Sequence, residues 1–167
     1  MKYILSIIFF WVFCGNSFSQ DIVLLKTKDF TGVIFPENYA YKEVFLKSQK
    51  RFTPIQNEIL KVEAELKLQI HDLNKSRLNQ KGRNPVIDRK LKKYVRQYCG
   101  YYNQKGERII YINCIWKTYT EIGMDNIERE VWRTDWQTIF DGGSNYWNIK
   151  YNLDTKSFCD LAVNGFG

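Results

Sequence analysis

Aromatic and polar residues alternate through the last third of the chain, from Trp136 to Leu153, around the pair Gly142-Gly143. Period-two alternation is the pattern of a strand with one buried face. It puts Trp136, Thr138 and Phe140 on one side, and Trp147, Ile149, Tyr151 and Leu153 on one side of the next strand. A two-residue turn at Gly143-Ser144 sets Phe140 opposite Trp147 and Trp136 opposite Tyr151. Further upstream the period changes. Ile55, Ile59, Val62, Leu66, Ile70 and Leu73 recur at three- and four-residue intervals, one stripe of an amphipathic helix. Thr53-Pro54-Ile55-Gln56 offers a capping hydroxyl, a proline for the first helical position and a glutamine three residues after the cap. The helix is therefore predicted from about Pro54 to Asn79, ahead of Gly82 and Asn84-Pro85.

Between these two patterns lies another hairpin. Lys92–Tyr102 and Arg108–Thr118 flank Asn103-Gln104-Lys105-Gly106, with Gly106 at the left-handed loop position. That register faces Tyr101 with Ile109 and Tyr98 with Ile112. Further strands are predicted at about Val131–Asp141, Asn145–Leu153 and Ser157–Val163. Short connections make sequence neighbours spatial neighbours, so the expected class is α+β. One long amphipathic helix should pack on one face of an antiparallel meander of about four or five strands.

Before the helix the pattern weakens. Asp21–Lys26 reads as a short strand or a leader, Gly32–Phe35 as a β-branched run stopped by Pro36, and Tyr39–Lys50 as a short helix. The expected organisation is a signal peptide over 1–19, an N-terminal leader with short elements over 20–52, and a single α+β domain over 53–167.

The first nineteen residues read as a targeting segment. Lys2 precedes an apolar run, Tyr3–Phe13, too short to span a bilayer comfortably, and Ser17 and Ser19 bracket Phe18 as a small-x-small cleavage site. Cleavage after Ser19 and export to the periplasm or the exterior are expected, with no transmembrane span left. Cys14 suits a lipoprotein poorly because Phe13 stands where a small residue is wanted. Cys99, Cys114 and Cys159 remain, and they read as small buried hydrophobes in preference to a disulfide. Cys99 and Cys114 would point to opposite faces of their hairpin.

Composition adds that the chain is not disordered, with 16% aromatic and 44% hydrophobic residues. The net charge of +7 is concentrated in 75–96, where Lys75, Arg77, Lys81, Arg83, Arg89, Lys90, Lys92, Lys93 and Arg96 meet only Asp88. A solvated loop and a lysine-protected strand edge explain such a run. The functional reading is an anion site for phosphate, lipid head groups or nucleic acid, with Lys90, Lys92 and Lys93 as its contacts. No helix-turn-helix, zinc-finger or RNA-binding signature accompanies the run, so specific nucleic-acid binding is not expected.

Catalytic chemistry finds little to work with. His71 is the only histidine and sits beside the apolar stripe, as a boundary residue does. No G-x-S-x-G elbow, C-x-x-C or H-E-x-x-H spacing is present, so neither catalytic residues, a metal nor a cofactor is expected. Asp141-Gly142-Gly143-Ser144-Asn145 lacks the acidic alternation of a calcium loop and reads as a turn. Asp135, Asp141 and Asp160 fall on neighbouring predicted elements, and two of them could form a hydrolytic carboxylate pair. The Trp136/Phe140/Trp147/Ile149/Tyr151 face is expected to be core under the helix. Trp132 and Tyr146, on the other parity, are candidate exposed contacts, and so are Tyr94 and Tyr98, which share a face with Arg96. Export, aromatics and the thin catalytic inventory favour a non-enzymatic binding module for a protein, peptide or envelope glycan.

Several stretches together carry a resemblance: Arg51-Phe52-Thr53-Pro54; Leu91-Lys92-Lys93-Tyr94 through Arg96-Gln97-Tyr98; Gly106-Glu107-Arg108-Ile109-Ile110-Tyr111-Ile112-Asn113-Cys114; Asp141-Gly142-Gly143; and Val163-Asn164-Gly165. The chain resembles a group of secreted, functionally uncharacterised proteins of Bacteroidota from about Phe52 to Gly165. The resemblance implies export and brings no activity or site. A helix followed by an antiparallel meander is also similar in architecture to cystatin and PepSY-like proteins, a likeness that implies no inhibitor function.

Overall fold

The computed structural model describes residues 21–118, 121–122 and 128–166. The predicted signal segment and its Cys14 lie outside the described residues. The chain opens with a hairpin of β1 (Val23–Lys26) and β2 (Thr31–Ile34). Thr27 closes it, its hydroxyl accepting the backbone N–H groups of Asp29 and Phe30 at 3.2 and 3.0 Å. A short helix, α1 (Val44–Ser48), and a two-residue strand, β3 (Arg51–Phe52), lead into the long helix α2 (Gln56–Leu73). After a loop come α3 (Ile87–Lys90) and a 3₁₀ turn, then the long strands β4 (Tyr94–Tyr102) and β5 (Arg108–Trp116). A small ribbon of β6 (Glu121–Ile122) and β7 (Glu128–Arg129) precedes β8 (Tyr146–Asn152) and β9 (Ser157–Val163).

The main sheet is open, in the order β1-β2-β4-β5-β8-β9, with β3 beside the far end of β4. The fold is α+β, and all pairings in this sheet are antiparallel except β2 with β4, which is parallel. The β4–β5 register sets Tyr101 against Ile109 and Tyr98 against Ile112, as predicted. Seven strands replace the four or five expected. The additions come from 20–52, whose β2 reaches β4 by a parallel crossover that no local pattern announces.

Both sheet faces are covered, which is why eight of the nine residues of β4 are buried. On one face, Ile59, Val62, Leu66 and Ile70 of α2 join Tyr94, Tyr98, Ile110, Ile112, Trp147, Ile149 and Tyr151 in a single cluster. The expected core face of β8 is therefore core. On the other face, Val33, Phe35, Tyr41 and Leu46 pack with Val95, Cys99, Ile115 and Trp132. Cys99 and Cys114 are buried on opposite faces, Cys159 is exposed rather than buried, and all three thiols are free.

The predicted strand Val131–Asp141 is not formed. Val131–Arg133 is a 3₁₀ turn, and no strand follows before β8. Side chains take the hydrogen bonds that a strand would need. Gln97 donates to the carbonyls of Trp132 and Asp135 and accepts from the Gln137 N–H, while Asn113 donates to the Gln137 carbonyl. Asn164 holds the carbonyls of Ile139 and Asp141, and the Tyr39 hydroxyl accepts from the Trp136 N–H. Trp136 consequently packs on the second face and Phe140 stands 86% exposed. The partners of β8 are β5 and β9. Gly142 and Gly143, with φ of 85° and 56°, begin a 3₁₀ turn instead of a two-residue hairpin loop.

The ends of α2 also move inward from Pro54 and Asn79. Thr53 is occupied elsewhere, its hydroxyl accepting the Glu37 N–H, so Glu58 reaches back to the Ile55 N–H and the helix starts at Gln56. It stops at Leu73 because the buried Asn74 turns its amide to Gln80 and Asp88.

Candidate functional site

The outer side of α2, the Thr27–Phe30 turn and the Asp88–Lys93 segment enclose a groove of about 770 Å³. That size suits a small ligand. Each wall is fixed by local chemistry. Thr27 sets the turn, as above. Ile87 is fully buried and donates its N–H to Gln80, which anchors the start of α3. The 3₁₀ turn is tied through the Leu91 carbonyl, which accepts from Arg96 at 3.0 Å.

The apolar part of its lining is Phe30, Leu60, Ala64, Leu68, Ile70 and Leu91. Leu60 and Leu68 are 37% and 82% exposed, although both belong to an amphipathic helix with an ample buried stripe. At the base lies a buried ion pair, Arg96 Nε to Glu63 Oε1 at 2.8 Å. The Tyr98 hydroxyl donates to the same carboxylate oxygen at 2.8 Å, and Arg96 also donates to the Tyr94 and Leu91 carbonyls. Burial pushes the Glu63 carboxyl up, and Arg96 and the Tyr98 hydroxyl pull it back.

The rim is basic. Lys92 Nζ lies 2.6 Å from Asp29 Oδ1, and Lys67 Nζ lies 3.4 Å from Asp29 Oδ2, so one carboxylate bridges the two lysines across the mouth. The hydrogen bond from Lys92 is the main reason that the Asp29 carboxyl is held below its ordinary value. Among the described residues, Lys28, Arg89, Lys90 and Lys93 line the groove without a carboxylate partner.

The candidate contacts divide sharply. Lys90, Lys92 and Lys93 are exposed and all line the groove. Tyr94, Arg96 and Tyr98 do share a face, but it is the face under α2, and they are at most 1% exposed. Trp132 is 1% exposed on the opposite face. Their placement on exposed surfaces is thus corrected, because both faces of β4 are covered. Tyr146 is half-buried beside a smaller cavity of about 160 Å³ that also touches Glu43, Asn113, Trp136 and Asn164. Asp135, Asp141 and Asp160 are all exposed. Asp135 accepts from the Thr134 hydroxyl and Asp160 pairs with Lys150. His71 is a boundary residue, its exposed ring paired with Asp88 at 3.1 Å.

Glu63, Asp29, Phe30, Lys67 and Leu68 are the site residues that the pattern alone passes over. Glu63 had a signal, since it sits four residues after Ile59 and three before Leu66, within the apolar stripe. Leu68 had one too, as an apolar residue off that stripe. Asp29 and Phe30 had none, for the turn gives no hint of the segments it meets. Among the described residues, no helix is long and apolar enough to cross a membrane, and no group of three His, Cys, Asp or Glu side chains is placed to hold a metal ion. Compared with protein-family models, curated proteins and solved structures, the chain finds no match.

Proposed function

We propose that this chain is an exported, non-enzymatic binding protein whose ligand enters the groove between α2, the Thr27–Phe30 turn and the Asp88–Lys93 segment. The observation that carries the reading is a groove of about 770 Å³ with solvent-facing leucines on its wall and, among the described residues, four cations without a carboxylate partner. Among the ligands considered from sequence, an envelope glycan fits least well. Sugar binding would use planar aromatic faces, and Trp132 and Trp147 are both buried. A ligand with an apolar body fits better. The signal-like start over 1–19 supports export, and the motifs from Phe52 to Gly165 support membership of the secreted Bacteroidota group. Helix α2 over the sheet supports a cystatin-like packing as part of the same proposal, with no inhibitor activity implied.

The test is titration of the mature protein with N-phenyl-1-naphthylamine, an uncharged probe that fluoresces in apolar surroundings. Saturable binding near one probe per chain is expected. Ala64→Trp, which fills the groove from an exposed helix position, should weaken it at least tenfold with an unchanged circular-dichroism spectrum. Absence of saturable binding, or wild-type binding by the folded Ala64→Trp variant, would overturn the reading.

A further inference from the structure

We infer that the groove takes a single-headed anionic amphiphile, whose head group replaces the Asp29 carboxylate between Lys67 and Lys92. This rests on the groove being a binding site, and it names the chemistry of what binds.

Asp29 is the key to the argument. Its turn is held by the Thr27 hydroxyl and by the backbone bond from the Thr27 N–H to the Phe30 carbonyl, not by its own side chain. The carboxylate instead reaches outward, giving one oxygen to Lys92 at 2.6 Å and the other to Lys67 at 3.4 Å. A free carboxylate or phosphate would meet the same two ammonium groups in the same way. Both lysines are more than half exposed, so each ion pair is weak and exchange for a ligand anion costs little. Lys28 and Lys93 add uncompensated charge on the same rim, which draws an anion toward the mouth.

The interior sets the rest of the ligand. Among the described residues that line the groove, Arg96 is the one buried cation, and Glu63 neutralises it at 2.8 Å. Asp88, at the inner end of α3, is already engaged by Asn74, Arg77 and His71. Among the described residues, a second anionic group finds no unpaired cation away from the rim. What remains of the lining is apolar surface on Phe30, Leu60 and Leu68, which suits an alkyl tail. One charged end and one apolar body describe a fatty acid or an alkyl phosphate.

The experiment is displacement of bound N-phenyl-1-naphthylamine by laurate, dodecyl phosphate, dodecanol and acetate, each below its aggregation limit. Laurate and dodecyl phosphate should displace the probe at concentrations at least tenfold lower than dodecanol, and acetate should not displace it. High salt should shrink that preference. The double variant Lys67→Gln/Lys92→Gln should abolish it, so that laurate and dodecanol act at similar concentrations. Asp29→Asn should move laurate displacement to several-fold lower concentration. If the probe binds but laurate performs no better than dodecanol, this inference falls while the groove reading stands. If laurate fails and the protein instead sediments with phosphatidylglycerol vesicles through Lys67 and Lys92, a membrane surface replaces the free amphiphile. Loss of probe binding itself removes the groove reading.

Discussion

Glu63 is an acid placed where the stripe of α2 calls for a hydrocarbon, 6% exposed between Ile59 and Leu66. Desolvation opposes its charge, and the position is tolerable because Arg96 and the Tyr98 hydroxyl both meet the carboxylate at 2.8 Å. The pair does more than survive burial. Arg96 fastens the Leu91 carbonyl and so fixes the 3₁₀ turn that carries Lys92 and Lys93 at the groove rim. Arg96→Met should therefore cost about 3–5 kcal/mol in urea unfolding at neutral pH, since it strands a buried carboxylate. The pH dependence gives a second readout. Without Arg96 the folded-state value of Glu63 lies further above its unfolded value, so folding favours the protonated form. Relative to wild type, the variant's deficit should be smallest below the ordinary carboxylate range and should grow as pH rises through the raised value. Glu63→Leu/Arg96→Met should recover most of the loss, and full stability of Arg96→Met alone would show that the pair holds nothing.

Among the elements, the loop after α2 is the most exposed to solution conditions. Asn74 and Gln80 exchange amide hydrogen bonds at 2.9 and 2.6 Å, Gln80 accepts the Ile87 N–H, and Asp88 gathers Asn74, Arg77 and His71. Burial works to raise the Asp88 carboxyl, but hydrogen bonds from His71 and Asn74 and the charge of Arg77 outweigh it and hold it low. A depressed carboxylate stabilises the fold above its unfolded value of about 3.9 and loses that contribution as pH falls through the folded value. Acidification from about pH 5 to about pH 3 should thus loosen 86–93 before β4, seen as faster amide exchange after correction for intrinsic rates. Asp88→Asn should already be loose at the higher pH and should respond little to acid. The same network explains what the sequence conceals. The stripe from Ile59 to Ile70 is plain, but the stop at Asn74 depends on Gln80 and Asp88, which follow it. Likewise Trp136, Thr138 and Phe140 alternate as a strand does, yet Gln97, Asn113 and Asn164 take their backbone groups. The hairpin of β4 and β5 was legible because its register depends only on its own turn and alternation. Lys90, Lys92 and Lys93 announced a basic rim, whereas Asp29 and Lys67 reach it only through tertiary folding.

For the whole molecule, the decisive feature is the parallel pairing of β2 with β4, which draws the start of the described chain into its centre. Leu25, Phe30 and Ile34 enter the cluster beneath α2, and Val33 and Phe35 enter the one on the opposite face. Each such burial contributes about 1.5–3 kcal/mol, so the five together are of the order of the 5–15 kcal/mol that stabilises a typical domain. Gly32 tightens the junction, because a Cβ there would lie 2.7 Å from the Tyr98 ring and 2.8 Å from the Arg96 carbonyl. The same stretch supplies Asp29 and Phe30 to the groove, so architecture and binding surface depend on one segment. If 20–52 were an appendage, a chain beginning at Thr53 would keep α2 on the β4-β5-β8-β9 meander and unfold at an unchanged urea midpoint. The packing predicts otherwise. Removing β1 and β2 uncovers the edge of β4 along Val95–Tyr98 and leaves Glu63, Arg96 and Tyr98 open to water from that side. The shortened protein should show a lower urea slope and no sharp transition, and should bind the apolar dyes typical of loosely packed states. A cooperative transition at the full-length midpoint would separate the segment from the fold and leave the groove with only two of its three walls.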